Sequence, residues 1–338
     1  MAGATEGGAE TFFGRLAIGL QNAGIDQHVV LRPSVEREAM LQGAGVAVST
    51  VPFGGLLDFS TRRAIRKRIA DSAPDIVLSW MNRATSFCPA RRAGQTFIHV
   101  GSPRGYYAPK YYRACDHLVV TTDDLARFYL DSGWPADRVD AIPNFVPDRR
   151  ADPVARDRYD TPEDAPLLLA LGRLHENKAF DIAIDALSRL PDCYLWLGGA
   201  GPLESDLKAQ AEATGVADRV RFLGWVQDTA PLFAAADIFV CSSRHEPFGN
   251  IVIEAWLSGT PMVAADSEGP GSLIADEEDG LLVPVDDPAA LASAIRALVE
   301  DKDMSVRLAA AGRQRYEEGF TEEKIVPRYV ELFERLSS

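Results

Sequence analysis

Short runs of leucine, β-branched and aromatic residues recur along this chain, and longer stretches with apolar residues at helical spacing separate most of them. A strand that leaves a sheet through a helix returns parallel to its neighbour, so this rhythm predicts an α/β chain with helices packed on parallel sheets. In the first half the candidate strands are 28–31, 46–51, 76–80, 96–100, 117–121 and 139–142. The second half repeats the pattern at 167–171, 194–197, 220–223, 238–241, 262–265 and 281–283.

A length of 338 residues with 46% hydrophobic content is enough for two cores of ordinary size. The segment Pro143-Asn144-Phe145-Val146-Pro147-Asp148-Arg149-Arg150-Ala151-Asp152-Pro153 has the proline and charge content of a linker. It divides the chain into an amino-terminal domain, 1–147, and a second domain, 148–320. The last stretch, 321–338, is expected to be a helix packing back on the first domain. Open parallel sheets bind ligands beyond the carboxyl ends of their strands, which places the ligand in a cleft between two doubly wound domains. Only Met1-Ala2-Gly3-Ala4 precede the first glycine turn. The first strand is therefore either very short or entered part-way.

Charge narrows the function further. Residues 1–150 carry 18 Lys+Arg against 15 Asp+Glu, a net of +3, which leaves a net of −17 in the remainder and −14 overall. An acidic second half argues against nucleic acid as a partner. The densest basic run is Arg62, Arg63, Arg66, Lys67 and Arg68. It reads either as a solvated helix face or as a surface for peripheral contact with an anionic membrane or acceptor. Arg83, Arg91, Arg92, Arg104, Lys110 and Arg113 add to the same domain, with Tyr106 and Tyr107 available to stack on sugar rings. No apolar run reaches the roughly 18 residues of a membrane span and no secretory leader is visible, so the expected location is cytoplasmic, with a peripheral position at the inner face of the plasma membrane open. Cys88, Cys115, Cys193 and Cys241 form no C-x-x-C pair and read as reduced filler.

Four segments carry chemistry. Gly7 and Gly8 open the first helix, where paired glycines let backbone N–H groups approach a phosphate; a plain tight turn explains them equally well. Gly172-Arg173 and Lys178 follow the strand 167–171, so two cations stand where a departing diphosphate needs neutralising. Gly199-Ala200-Gly201 is a close-approach turn, either beside a ligand or purely structural, and Glu204 breaks the dinucleotide fingerprint. The fourth segment is His245-Glu246-Pro247-Phe248-Gly249-Asn250-Ile251-Val252-Ile253-Glu254. Pro247 is expected at the first helical position, with Glu246 at the helix entrance and Glu254 about two turns on. Both carboxylates can accept bonds from sugar or ribose hydroxyls, while N–H groups near Gly249, Asn250 and Ile251 can take a phosphate oxygen.

This last segment resembles the E-x7-E motif of the retaining family-4 glycosyltransferases, which have the GT-B fold. Other segments agree in order. Gly7-Gly8-Ala9-Glu10 resembles that family's glycine loop, His99 its histidine at a strand end, and Asn144 lies in a segment like its interdomain stretch. Gly172-Arg173-Leu174 with Lys178 resembles its diphosphate clamp, and Gly280–Pro284 its late strand. Two departures stand out: Ala179 where glycine is usual, and Ser272 where glutamate is common. The resemblance implies two Rossmann-like domains and transfer of a hexose-type sugar from a nucleoside-diphosphate sugar to a glycan or lipid-linked hydroxyl, as in lipopolysaccharide or other cell-surface polysaccharide synthesis. It assigns Glu254 to the donor ribose, Glu246 and His99 to the sugar, and Arg173 with Lys178 to the diphosphate. Gly7, Gly8, Gly172, Gly199, Val226, Phe248, Gly249, Asn250 and Ile251 complete the donor set.

No cofactor and no metal is expected, because two side-chain cations take the metal's place. The single D-x-D, Asp301-Lys302-Asp303, reads as a helix boundary, and His28, His117, His175 and His245 lack a metal-ligand spacing. The rival enzyme is a GT-B nucleotide-sugar epimerase, and the rival outside catalysis is a sugar-nucleotide-binding protein. A nicotinamide dehydrogenase fails on the broken glycine fingerprint.

Overall fold

The computed structural model describes residues 1–3, 7–55, 57–89 and 97–338, so Glu6, Arg91, Arg92 and Thr96 lie outside the described residues. The chain divides into one unit of Met1–Phe145 with Glu322–Ser338 and a second of Val146–Thr321.

In the first unit β1 (His28–Leu31) pairs with β2 (Ala47–Thr50), and β3 (Ile76–Trp80), β4 (Ile98–Ser102), β5 (His117–Val120) and β6 (Val139–Ala141) form a second sheet in that order. Every pairing is parallel. The helix Gly8–Asn22 buries Phe12, Leu16 and Leu20 against Ile325, Val326 and Tyr329 of the terminal helix Glu322–Ser337. That helix is tied down further by Arg328 Nη2 on the Ala141 carbonyl, 2.7 Å, and by Arg335 Nη2 on Asp140, 2.6 Å.

The second unit is one six-stranded parallel sheet ordered β12-β11-β10-β7-β8-β9, where β7 is Leu167–Leu171, β8 Tyr194–Gly198, β9 Val220–Gly224, β10 Ile238–Cys241, β11 Met262–Ala265 and β12 Leu281–Val283. The all-apolar β7 is buried throughout because both faces are covered. Leu168 and Ala170 enter one core, while Leu167, Leu169 and Leu171 enter the other, the period-two alternation of a strand between two helical layers. The chain runs outward from β7 to β8 and β9, then crosses back to β10 and runs the other way. That reversal between β7 and β10 is the doubly wound switch point, and the loops leaving those two strands face each other there.

The first part of the proline-rich segment is packed, while 148–150 and 152–153 are exposed. Phe145 is buried in the first unit with its ring edge-on to Phe12 at 5.3 Å, while Val146 is buried in the second, its carbonyl accepting from the Tyr316 hydroxyl at 2.8 Å. The four cysteines are free thiols.

Candidate active site

The loop leaving β7 begins with Gly172, whose φ of 149° suits glycine; a Cβ there would stand 3.0 Å from Lys178 Cε. Arg173 projects into solvent and makes no hydrogen bond or ion pair among the described residues. Residues 176–178 form one tight turn, closed by Ala179 in the left-handed region at φ 50°. Glycine would adopt that left-handed backbone without the strain it imposes on alanine.

The loop leaving β10 is stitched to it. Ser242 Oγ donates to the Lys178 carbonyl, 2.9 Å, and the His245 N–H donates to the Asn177 carbonyl, 3.2 Å. These bonds bring the Lys178 ammonium onto the Glu246 carboxylate as a direct ion pair, with side chains 22% and 17% exposed. Burial is the largest single influence on the Lys178 pKa and lowers it, but the Glu246 charge and hydrogen bond, together with the nearby Cys241, outweigh it and the net shift is upward. Lys178 is therefore a fixed cation in a partly dry setting, where charge acts more strongly than in bulk water.

The helix after this loop is Asn250–Ser258, not one beginning at Pro247. Gly249, at φ 93°, breaks the helical path and leaves Pro247 in the turn before it. Glu254 consequently lies about one turn from the amino end, where it accepts from the Thr229 hydroxyl at 3.1 Å. Among the described residues no side chain caps that end. Phe248 is buried beneath the loop and Ile251 is half-buried.

Gly199 and Gly201 brace the neighbouring loop. A Cβ on Gly199 would fall 1.8 Å from the Gly172 carbonyl oxygen, and one on Gly201 2.3 Å from that of Leu174. What approaches these glycines closely is the β7 loop itself. Val226, beyond β9, is half-buried beside Gly198.

Two residues that the sequence did not single out hold the set in place. Glu268, first residue of the helix Glu268–Leu273, accepts the Glu246 N–H at 3.2 Å and approaches His245 Nδ1 at 2.5 Å. Thr229 fixes one oxygen of Glu254. The signal for Glu268 was a carboxylate four residues before Ser272; nothing marked Thr229.

The remaining candidates belong to the first unit. Gly7 caps the helix Gly8–Asn22 at φ 152°, and a Cβ there would meet a Glu10 carboxylate oxygen at 2.4 Å, so an acid already folds back to that turn. His99 is not at a strand end. β4 continues to Ser102, and His99 sits near its start with no exposed surface, Nε2 2.9 Å from Ser79 Oγ and Nδ1 3.2 Å from the Ala114 carbonyl. Burial lowers its pKa, opposed by the Ala114 bond and the Asp116 charge. The side chain near the carboxyl end is instead Arg104, buried with its guanidinium 4.4 Å over the Trp80 ring and 4.9 Å over Phe12.

Parallel α/β units with a paired lysine and glutamate at the switch point define the class: a GT-B sugar-nucleotide enzyme. The fold matches that of Alr3699/HepE of Anabaena, solved with UDP and glucose, at a TM-score of 0.83 over 98% of both chains and 20% identity. Residues 6–150 match the model of Glycosyltransferase Family 4, and residues 165–301 that of Glycosyl transferases group 1. The chain is 35% identical over 335 residues to the lipopolysaccharide core biosynthesis glycosyltransferase LpsE of Rhizobium meliloti, covering 97% of this chain and 96% of that protein. Against LpsD of the same organism it is 34% identical, covering 98% and 96%. The chain belongs to glycosyltransferase family 4.

Proposed function

We propose that this glycosyltransferase moves a hexose-type sugar from a nucleoside-diphosphate donor to a hydroxyl of a glycan or lipid-linked acceptor in cell-surface polysaccharide synthesis, with retention of configuration and without a metal. The observation that carries the reading is the Lys178–Glu246 pair, fixed across the switch point by the Ser242 and His245 bonds. Glu246 can accept from hydroxyls of the transferred sugar while Lys178 meets the diphosphate as negative charge develops on the leaving group. Arg173, exposed and unengaged, is available to the same phosphates. Glu254, oriented by Thr229, suits vicinal ribose hydroxyls. The relatives' lipopolysaccharide core role and the uridine diphosphate and glucose held by the Anabaena protein support the acceptor and donor classes.

The protein would work on the cytoplasmic side, and the basic residues 62–68 would give it peripheral contact with an anionic membrane. Each cation near such a surface adds about 1 kcal/mol, which suits reversible attachment. No helix among the described residues is long and apolar enough to cross a membrane.

The test is a panel of nucleoside-diphosphate sugars with lipopolysaccharide-type acceptors, read as released nucleoside diphosphate and as the anomeric configuration of the product. Acceptor-dependent release with a retained anomer supports the proposal. Conversion of the sugar while it stays on its nucleotide would make the enzyme an epimerase.

A further inference from the structure

Two large apolar side chains stand in water at one end of the basic helix. Leu57 is 82% exposed, and Phe59, first residue of the helix Phe59–Ser72, is 69% exposed. They are held there by a built turn. Asp58, between them, accepts from the N–H groups of Gly54 at 2.7 Å and Thr61 at 2.9 Å and from the hydroxyls of Ser60 at 2.6 Å and Thr61 at 2.5 Å. Those bonds hold its carboxyl well below the usual carboxylate range. Phe53, at the start of the turn, adopts a left-handed φ of 46°, a strained conformation for an aromatic residue, yet is buried with its ring 5.6 Å from Phe87 and its N–H on Thr61 Oγ1.

The helix turns Thr61, Ile65 and Ile69 inward. That leaves Arg63, Arg66, Lys67 and Arg68 exposed along two turns beyond Phe59, and among the described residues only Lys67 is paired to an acid, Asp71, at 2.8 Å. Resting on the peripheral contact proposed above, but going beyond it, we propose that this end of the first unit is an insertion surface for an anionic bilayer. Leu57 and Phe59 enter the boundary between headgroups and acyl chains while the four exposed cations rest on the headgroups. Charge complementarity selects that occupant. A soluble anionic glycan would satisfy the cations but offer nothing to the two apolar side chains, whereas an anionic lipid surface satisfies both.

The two contributions separate by salt, because ions screen the cations but do not weaken apolar burial. The experiment is co-sedimentation of the full chain with vesicles of phosphatidylethanolamine and phosphatidylglycerol, or of phosphatidylcholine alone, at low salt and at about 0.5 M salt, beyond the range of surface electrostatics. Wild type is compared with Leu57→Ser/Phe59→Ser and with a variant carrying glutamine at positions 62, 63, 66, 67 and 68. Wild type should bind anionic vesicles and keep a salt-resistant fraction. The serine variant should bind about 100-fold more weakly and lose that fraction, with its circular dichroism and melting temperature unchanged because both side chains are exposed. Serine-variant binding equal to wild type at both salt levels would overturn insertion while leaving electrostatic contact standing, provided the glutamine variant is impaired. A glutamine variant that binds like wild type, or a wild type that ignores anionic vesicles, would overturn both. Self-association of wild type that the serine changes abolish, without vesicle binding, would give the patch to a second copy and overturn insertion.

Discussion

Glu268 accepts the backbone N–H of Glu246 at 3.2 Å, so one carboxylate outside the E-x7-E segment fixes where another stands. The same Glu268 reaches His245 Nδ1 at 2.5 Å, and the Gly269 N–H returns a bond to the Glu246 carbonyl at 2.7 Å. The residue that would meet the sugar is thus held from its backbone side.

Glu268→Ala should lower kcat about 10-fold, the scale of one lost hydrogen bond to a charged acceptor, with the melting temperature little changed. Glu268→Gln should recover most of that loss, because its amide oxygen still accepts the Glu246 N–H. Steady-state kinetics decide this: an alanine variant with wild-type kcat, or a glutamine variant no better than alanine, would remove Glu268 from any positioning role.

For the clamp, Arg173→Ala and Lys178→Ala should each reduce turnover by about 100- to 1000-fold, the cost of losing one preorganised donor to a developing anion. The two differ in the resting protein. Lys178→Ala strands Glu246 without its ion-pair partner, so its loss should be partly relieved in Lys178→Ala/Glu246→Gln, while Arg173→Ala has no partner to strand. Single-turnover rates near wild type in either single variant would refute the clamp.

Because side-chain cations are proposed to neutralise the leaving diphosphate, EDTA should leave turnover unchanged in the acceptor-dependent assay. Loss of activity on chelation, reversed by magnesium or manganese, would show that Lys178 and Arg173 do not suffice.

Much of this was legible in the chain. Leu167–Leu171, Ile238–Cys241 and Met262–Ala265 are strands with the bounds their apolar runs predicted, because a strand buried on both faces cannot conceal its composition, and the half-buried edge strand Leu281–Val283 keeps its predicted bounds as well. β4 was placed two residues early, since Ile98 to Ser102 ends in Gly101 and Ser102, which carry no strand preference, and His99 was misplaced with it. The helix start was set at Pro247 by a general preference that Gly249 overrides with a left-handed backbone. Motif order located Lys178 and Glu246 separately, 68 residues apart, but their contact depends on which loops meet at the switch point. Thr229 and Glu268 were missed for the same reason: each acts through a residue far away in sequence.

The first unit should lose stability as the solution is acidified from about pH 7.5 to 5.5, across the ordinary histidine range. Three of its histidines have pKa values lowered from 6.5. Burial is the main cause for His28, with the Arg68 charge adding; for His99 burial is opposed by the Ala114 bond and Asp116; for His117 it is opposed by the Asp140 carboxylate 2.6 Å away. A group whose folded pKa is depressed binds its proton more readily when unfolded. Its contribution is therefore present above the unfolded pKa and is lost as the pH falls through the folded one. Burial raises the pKa of Glu322, with Glu323 adding, which acts in the opposite sense but nearer the carboxylate range. Urea midpoints measured at half-unit intervals should fall toward pH 5.5. His99→Gln, which keeps a polar group beside Ser79, should flatten the slope even if it lowers the midpoint overall. A wild-type midpoint that is level or rises on acidification through this window would show that the buried histidines are not coupled to folding as their surroundings require.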